Sequence, residues 1–113
     1  MNSEKIYSLL GLSMRAGMLK SGEFATLEAI RGRKAELVIV SEDASDNTKK
    51  QFSDKCSYYE VPMVFFGDKE SLGHAIGQDV RTSLAITDIG LSESLRKNLL
   101  IEEQDGGNVN GKN

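Results

Sequence analysis

The chain has 113 residues, room for one domain and one contiguous core of the usual ~100–150 residues and not for two. Its 39% hydrophobic and 27% charged residues suit a globular protein, and its longest apolar runs, Leu37 to Val40 and Pro62 to Phe66, fall far short of a membrane span of ~20 residues. A net charge of −3 excludes the strongly basic footprint of a general polyanion binder, and a lone cysteine, Cys56, excludes an internal disulfide and has no partner at metal-ligand spacing.

The spacing of Ile6, Leu9, Leu10 and Met14 predicts a first helix over Ser3 to Arg15, with Ser3 as its N-cap and Gly17 ending it. A short extended piece at Met18 to Lys20 leads to a second helix, Gly22 to Gly32. Ser21 is its expected cap, Glu23 suits its positive end, and Phe24, Leu27 and Ile30 are read as its inward face. The β-branched run Leu37 to Val40 predicts a strand covered on both faces, followed by the polar loop Ser41-Glu42-Asp43. A third helix is expected over Ser45 to Ser57, with Thr48, Phe52 and Cys56 one turn apart, and a strand over Pro62 to Phe66, since proline is tolerated as a first strand residue. Gly67-Asp68 turns the chain into a short helix with Leu72, Ala75 and Ile76 inward. After Gly77 come a polar loop to Thr82, a strand at Ser83 to Asp88, and a last helix from Leu91 to about Ile101.

Helix and strand alternate throughout, which predicts an α/β/α layered domain around three or four strands, mainly parallel where helices make the crossovers. From Glu102 the chain is almost without apolar residues, so residues 102–113 are expected to be a disordered polar tail. The mixed, polar Met1 to Lys5 does not read as a secretory signal, and a cytoplasmic location is expected.

Catalytic constellations are scarce. His74 is the one histidine, so a two-histidine metal site is excluded, and neither a GxxxxGK[ST] loop nor a GxGxxG after a strand is present. Gly73 and Gly77 are read as a close approach of a short helix and its end. Glu42 and Asp43 stand where α/β folds often hold ligands, but a solvated loop capping the next helix explains them as simply. No cofactor and no metal are expected.

Charge is uneven along the chain. Residues 1–40 carry six Lys/Arg and four Asp/Glu, net +2, against four and eight, net −4, over residues 41–79. An anionic partner is therefore expected at the N-terminal third, where Arg15, Lys20, Arg31, Arg33 and Lys34 cluster. If the start of the second helix, the loop after Val40, the turn at Lys69 and the loop carrying Val80 and Arg81 share one edge, they form an RNA-binding surface. Free N–H groups at Gly22 and Glu23 would take an acceptor, Lys69 and Arg81 would hold phosphates, and Val80 would pack on an unstacked base. An amphipathic helix with ordinary turns is the other reading of the same residues.

LKSGEFATLEAIR, AELVIVSEDAS, VPMVFF, DKESLGHAIG and LAITD occur in the order and at nearly the separations of the kink-turn-RNA-binding ribosomal proteins of the L7Ae type. The chain resembles that family from about Ile6 to Leu100, most specifically in LGxAxG after the VP-led strand, and most nearly its compact bacterial YlxQ-like members.

The resemblance implies a single domain over residues 1–101 with a three-layer α/β/α sandwich and a small mixed central sheet of about four strands. It implies a non-catalytic monomer that grips structured RNA, ribosomal RNA among the candidates, with a protein partner in a ribonucleoprotein and no membrane. It places RNA contacts on Lys20, Gly22, Asp43, Lys69, Val80 and Arg81, and the expected RNA-binding surface also takes in their neighbours Ser21, Glu23, Phe24, Glu28, Arg31 and Thr82. Where the family shows an asparagine and a glutamate and then, one turn later, a lysine, this chain has Phe24, Ala25 and Glu28. That departure motivates an alternative, a protein-interaction module on the same fold that has lost kink-turn affinity.

Overall fold

A computed structural model describes residues 2–107. In chain order it contains α1 (Ser3–Arg15), β1 (Leu19–Ser21), α2 (Glu23–Arg31), β2 (Leu37–Val40), α3 (Asp46–Tyr59), β3 (Met63–Phe65), α4 (Lys69–Ala75), β4 (Ser83–Ile86) and α5 (Ile89–Gly107). The strands form one mixed sheet in the order β1-β4-β2-β3. Residues 108–113 of the expected tail lie outside the described residues, and α5 continues past Ile101 to Gly107.

β2 explains the layering. Its residues Leu37, Val38, Ile39 and Val40 are all fully buried, because side chains alternate between the two faces and both faces are covered. Leu37 and Ile39 join Ile6, Leu10, Leu72, Leu95 and their neighbours under α1, α4 and α5. Val38 and Val40 join Leu27, Ile30, Phe52 and Cys56 under α2 and α3. Each such fully buried Leu, Ile, Val or Phe contributes about 1.5–3 kcal/mol relative to exposure.

Only the β2–β3 pair is parallel; β4 runs antiparallel to both β1 and β2. The expectation of a mainly parallel sheet is corrected here, and the reason is the length of α4. The helical connections after β1 and β2 return the chain to the opposite edge, so β1, β2 and β3 point one way. Seven-residue α4 stays at the edge where β3 ends, and the chain re-enters the sheet from that edge as β4, filling the place between β1 and β2.

Three local expectations also change. Asn2, not Ser3, caps α1, its side chain accepting from the Lys5 N–H at 3.1 Å. Gly22, not Ser21, is the N-cap of α2. Phe24 points outward and is 73% exposed, since Thr26, Leu27, Ala29 and Ile30 form the buried arc. At about 100° per residue Phe24 falls on the far side of that arc.

Candidate nucleic-acid interface

The sheet topology brings the C-terminal ends of β1, β2 and β3 and the N-terminal end of β4 to a single edge. Backbone bonds stitch it: Gly22 N–H donates to the Ser83 carbonyl at 3.0 Å, Ser41 N–H to Thr82 at 2.9 Å, and Glu42 N–H to Gly67 at 2.7 Å. The Lys69 N–H donates to Asp43 Oδ1 at 3.1 Å, and the Arg81 N–H to the Lys69 carbonyl at 2.9 Å. Asp43 therefore ties the start of α4 to the loop after β2, while Ser45 caps α3 by accepting from the Thr48 N–H.

Arg81 is the centre of this edge. Its guanidinium donates from Nε to Ser21 Oγ at 3.1 Å, from Nη1 to the Val80 carbonyl at 2.7 Å and from Nη2 to Gln78 Oε1 at 3.2 Å. Three of the five N–H donors of a guanidinium are thus engaged inside the protein, which leaves donors for an external acceptor while the group's direction is fixed.

Two glycines shape what surrounds it. Gly22 has φ 94° and ψ 161°, a backbone conformation essentially confined to glycine. It turns the chain sharply from β1 into α2 without a side-chain cap, so the first-turn N–H groups of α2 lie at the edge, with exposed Glu23 and Phe24. Gly73, inside α4, sits against the Asp79-Val80 backbone; a Cβ there would come within 2.5 Å of the Asp79 carbonyl oxygen. This contact holds Val80 at the rim of an open depression with Glu70, Ser71, His74 and Asp79, its side chain 44% exposed.

The Asp68 carboxylate, N-cap of α4, is held below the usual carboxylate range first by the Ser71 N–H. Tyr7, behind the same turn, has its phenol pushed up by burial, with Ser71 opposing and Asp68 and Glu42 adding to the rise. These shifts belong to the frame of the α4 turn. His74 is exposed beside Glu70 and Asp79, and among the described residues no group of His, Cys, Asp and Glu is arranged to hold a metal ion.

Of the residues singled out from sequence, Ser21, Gly22, Glu23, Asp43, Lys69, Val80, Arg81 and Thr82 meet at this edge. Lys20, Phe24 and Glu28 line a groove beside α2 together with Lys34. Arg31 is not brought in; it lies in the last turn of α2, about 12 Å along the axis from Glu23. Sequence reasoning missed Gln78 and the acidic pair Glu70 and Asp79, because nothing local marks a side chain as the neighbour of a loop arginine.

Residues 4–96 match the ribosomal protein L7Ae/L30e/S12e/Gadd45 family. The chain belongs to that family. It is 41% identical over 95 residues to the RNA-binding protein YlxQ of Bacillus subtilis (strain 168), covering 84% of this chain and 95% of that protein. It is 42% identical over 96 residues to the RNA-binding protein YlxQ of Enterococcus faecium, covering 85% and 92%. A solved protein of unknown function from Bacillus halodurans C superposes with a TM-score of 0.79 at 40% identity, over 82% of this chain and 94% of the other. The 15.5kD RNA binding protein of Giardia lamblia superposes with a TM-score of 0.73 at 24% identity, over 91% and 88%, and shows the shared fold. The mixed sheet inside an α/β/α sandwich is the arrangement that the family resemblance implied.

Proposed function

We propose that this protein is a non-catalytic RNA-binding protein that grips a sharply bent, kink-turn-like RNA by the edge where β1, β2 and β3 end. The carrying observation is Arg81, which joins the loop before β4 to the β1–α2 junction through Ser21 and to the α4 turn through Lys69. Both halves of the edge are held in one geometry before any RNA arrives. Family membership and the RNA-binding names of its YlxQ relatives support the RNA reading.

In this reading the uncapped start of α2 offers N–H groups to an RNA acceptor. Lys20, Lys69 and the remaining donors of Arg81 meet phosphates, and Val80 packs on an extruded base, the way irregular RNA is read. Asp43 and Thr82 position Lys69 and the Arg81 loop. Phe24 offers an aromatic face where the family pattern has an asparagine, and Glu28 accepts from base amino groups in place of the lysine's phosphate contact. A cytoplasmic monomer acting on ribosomal RNA within a ribonucleoprotein is the setting that fits.

The test is binding to a kink-turn duplex against a straight duplex of equal length over a range of salt. Preference for the bent RNA carries the proposal. Equal or absent binding to both assigns the edge, with its exposed Phe24 and its acid at position 28, to a protein partner instead.

A further inference from the structure

We infer that the end of the fold opposite this edge, built from Arg31, Arg33, Lys34, Tyr58 and Tyr59, is a second contact site that takes unpaired nucleotides of a single-stranded RNA. The inference rests on the RNA reading for the class of ligand, but on different residues for the site. α2 and α3 both run away from the β-strand ends discussed above, so their C-termini meet at the far end. There the Arg33 guanidinium lies over the Tyr59 ring at 5.3 Å. Tyr58 packs against Tyr59 at 76° with centroids 4.9 Å apart and is 77% exposed. Tyr58 is thus a largely exposed ring braced by its neighbour, and base stacking on exposed aromatic rings is tolerant of sequence.

The backbone marks the same place. Arg33 and Glu60, with φ of 57° and 58°, are the non-glycine residues of positive φ among the described residues; Arg33 lies over Tyr59, and Glu60 follows Tyr59 as the C-cap of α3. Arg33 closes the C-terminal turn of α2, with its N–H on the Ile30 carbonyl at 3.1 Å and the Lys34 N–H on Ala29 at 2.9 Å. Glycine is the usual residue at that position of the turn. A glycine stands one residue earlier, as the cap Gly32, with an ordinary φ of −81°. The chain thus tolerates a strained arginine where a glycine would relax it, and strain of this kind gathers at functional positions.

Charge agrees with an RNA partner. Arg31, Arg33 and Lys34 are exposed within four residues, and Lys55 stands one turn before Tyr59 on α3. Of the acids nearby, Asp54 is paired with Lys50 at 3.1 Å, while Glu60 is exposed beside Tyr59 and Glu36 is half-buried two residues from Lys34. Cations are favoured at helix C-termini by the dipole alone, which accounts for Arg31 but not for a left-handed arginine stacked on a tyrosine. The groove beside α2 runs past Phe24, Glu28, Ala29 and Gly32 to Lys34, the sequence neighbour of Arg33, so one strand leaving the bent RNA has a path along α2 toward the basic cluster.

The experiment uses a blunt kink-turn duplex, the same duplex with a tail of about ten unpaired uridines, and that tail alone, a length typical of single-strand sites. Wild type is expected to bind the tailed duplex roughly tenfold more tightly than the blunt one, as stacking of this kind supplies. Tyr58→Ala and Arg33→Gly each remove most of that gain and leave blunt-duplex affinity unchanged, while Arg33→Gly melts at a higher temperature than wild type. Loss of affinity together with gain of stability is what a merely structural arginine does not give. Retention of the tail gain in both variants overturns the inference. If wild type ignores the blunt duplex, the tail alone decides: binding lost in Tyr58→Ala and kept in Arg81→Ala supports the site, and no binding, or binding indifferent to Tyr58, overturns it. Preference for a polyglutamate peptide over the uridine strand also overturns it and assigns the patch to a protein.

Discussion

Arg81 Nε donates to Ser21 Oγ at 3.1 Å across 60 residues of sequence. This one bond fixes the loop before β4 against the start of α2, so the cation and the helix end act as one surface. Replacing Arg81 by alanine removes this bond and two more, and the half-buried position limits the loss of stability to about 1–2 kcal/mol. Its affinity for structured RNA falls, and the slope of log K against log salt becomes shallower by about one, as loss of one phosphate contact requires. Ser21→Ala keeps the charge and frees the guanidinium. It is expected to retain the wild-type salt slope with a smaller loss of affinity, and an unchanged affinity in both variants contradicts the placement of the site.

Gly73 and Gly22 fail for different reasons when changed to alanine. At Gly73 the new Cβ meets the Asp79 carbonyl oxygen at 2.5 Å and the Val80 Cα at 2.9 Å. The loop must move, at about 1–3 kcal/mol, and Val80 shifts with it. At Gly22 a Cβ meets nothing within 4 Å, but φ is +94°, so the cost of about 1–3 kcal/mol is backbone strain. Urea melts of both variants should show these losses. D-alanine placed at position 22 by chemical ligation should recover wild-type stability, since its mirror-image preference suits positive φ, whereas D-alanine at position 73 should not.

How legible this was depended on whether the determinant was local. LVIV at Leu37 to Val40 announces a strand buried on both faces, and it is one. The convergence of Gly22, Lys69 and Arg81 followed from strand ends sharing an edge, and holds even though the sheet is less parallel than expected. Strand direction is not written in local periodicity; it depends on where short α4 leaves the chain. Phe24 reads as inward from sequence because its hydrophobicity outweighs that of Thr26 and Ala29, which with Leu27 and Ile30 set the buried face of α2. The left-handed Arg33 carries no sequence signal, because Gly32 occupies the position where a glycine is expected to end a helix.

Asp68 makes stability depend on pH. Its carboxylate accepts from the Ser71 N–H at 2.7 Å and the Ser71 hydroxyl at 3.1 Å, which lowers its pKa on folding. A lowered folded value means that the contribution is present above the unfolded pKa and is lost as pH falls through the folded one. Asp68→Ala should therefore melt several degrees lower than wild type near neutral pH, with the gap closing in acid, because the protonated wild-type cap is also weakened. A gap of constant size across that range would show that the charge is not what caps α4.

Cys56 is buried among Phe52, Val38 and Val40, and burial pushes its thiol up from 9.0 to about 11. The reactive thiolate is therefore rare at neutral pH. A thiol reagent should label the native protein very slowly and the urea-unfolded protein at once. The raised value also implies that this group's share of stability is full below the unfolded pKa and declines as pH rises toward about 11. Cys56→Ala should flatten that alkaline decline; rapid native labelling would contradict the burial.

The central claim is that the edge joined by Arg81 holds bent RNA, and a salt titration of wild type and Arg81→Ala on a kink-turn duplex and a straight duplex tests it most directly. The account predicts tighter binding of the kink-turn by wild type, with a steeper salt slope than in the variant. Equal binding of both duplexes, with no change of slope in Arg81→Ala, would contradict it.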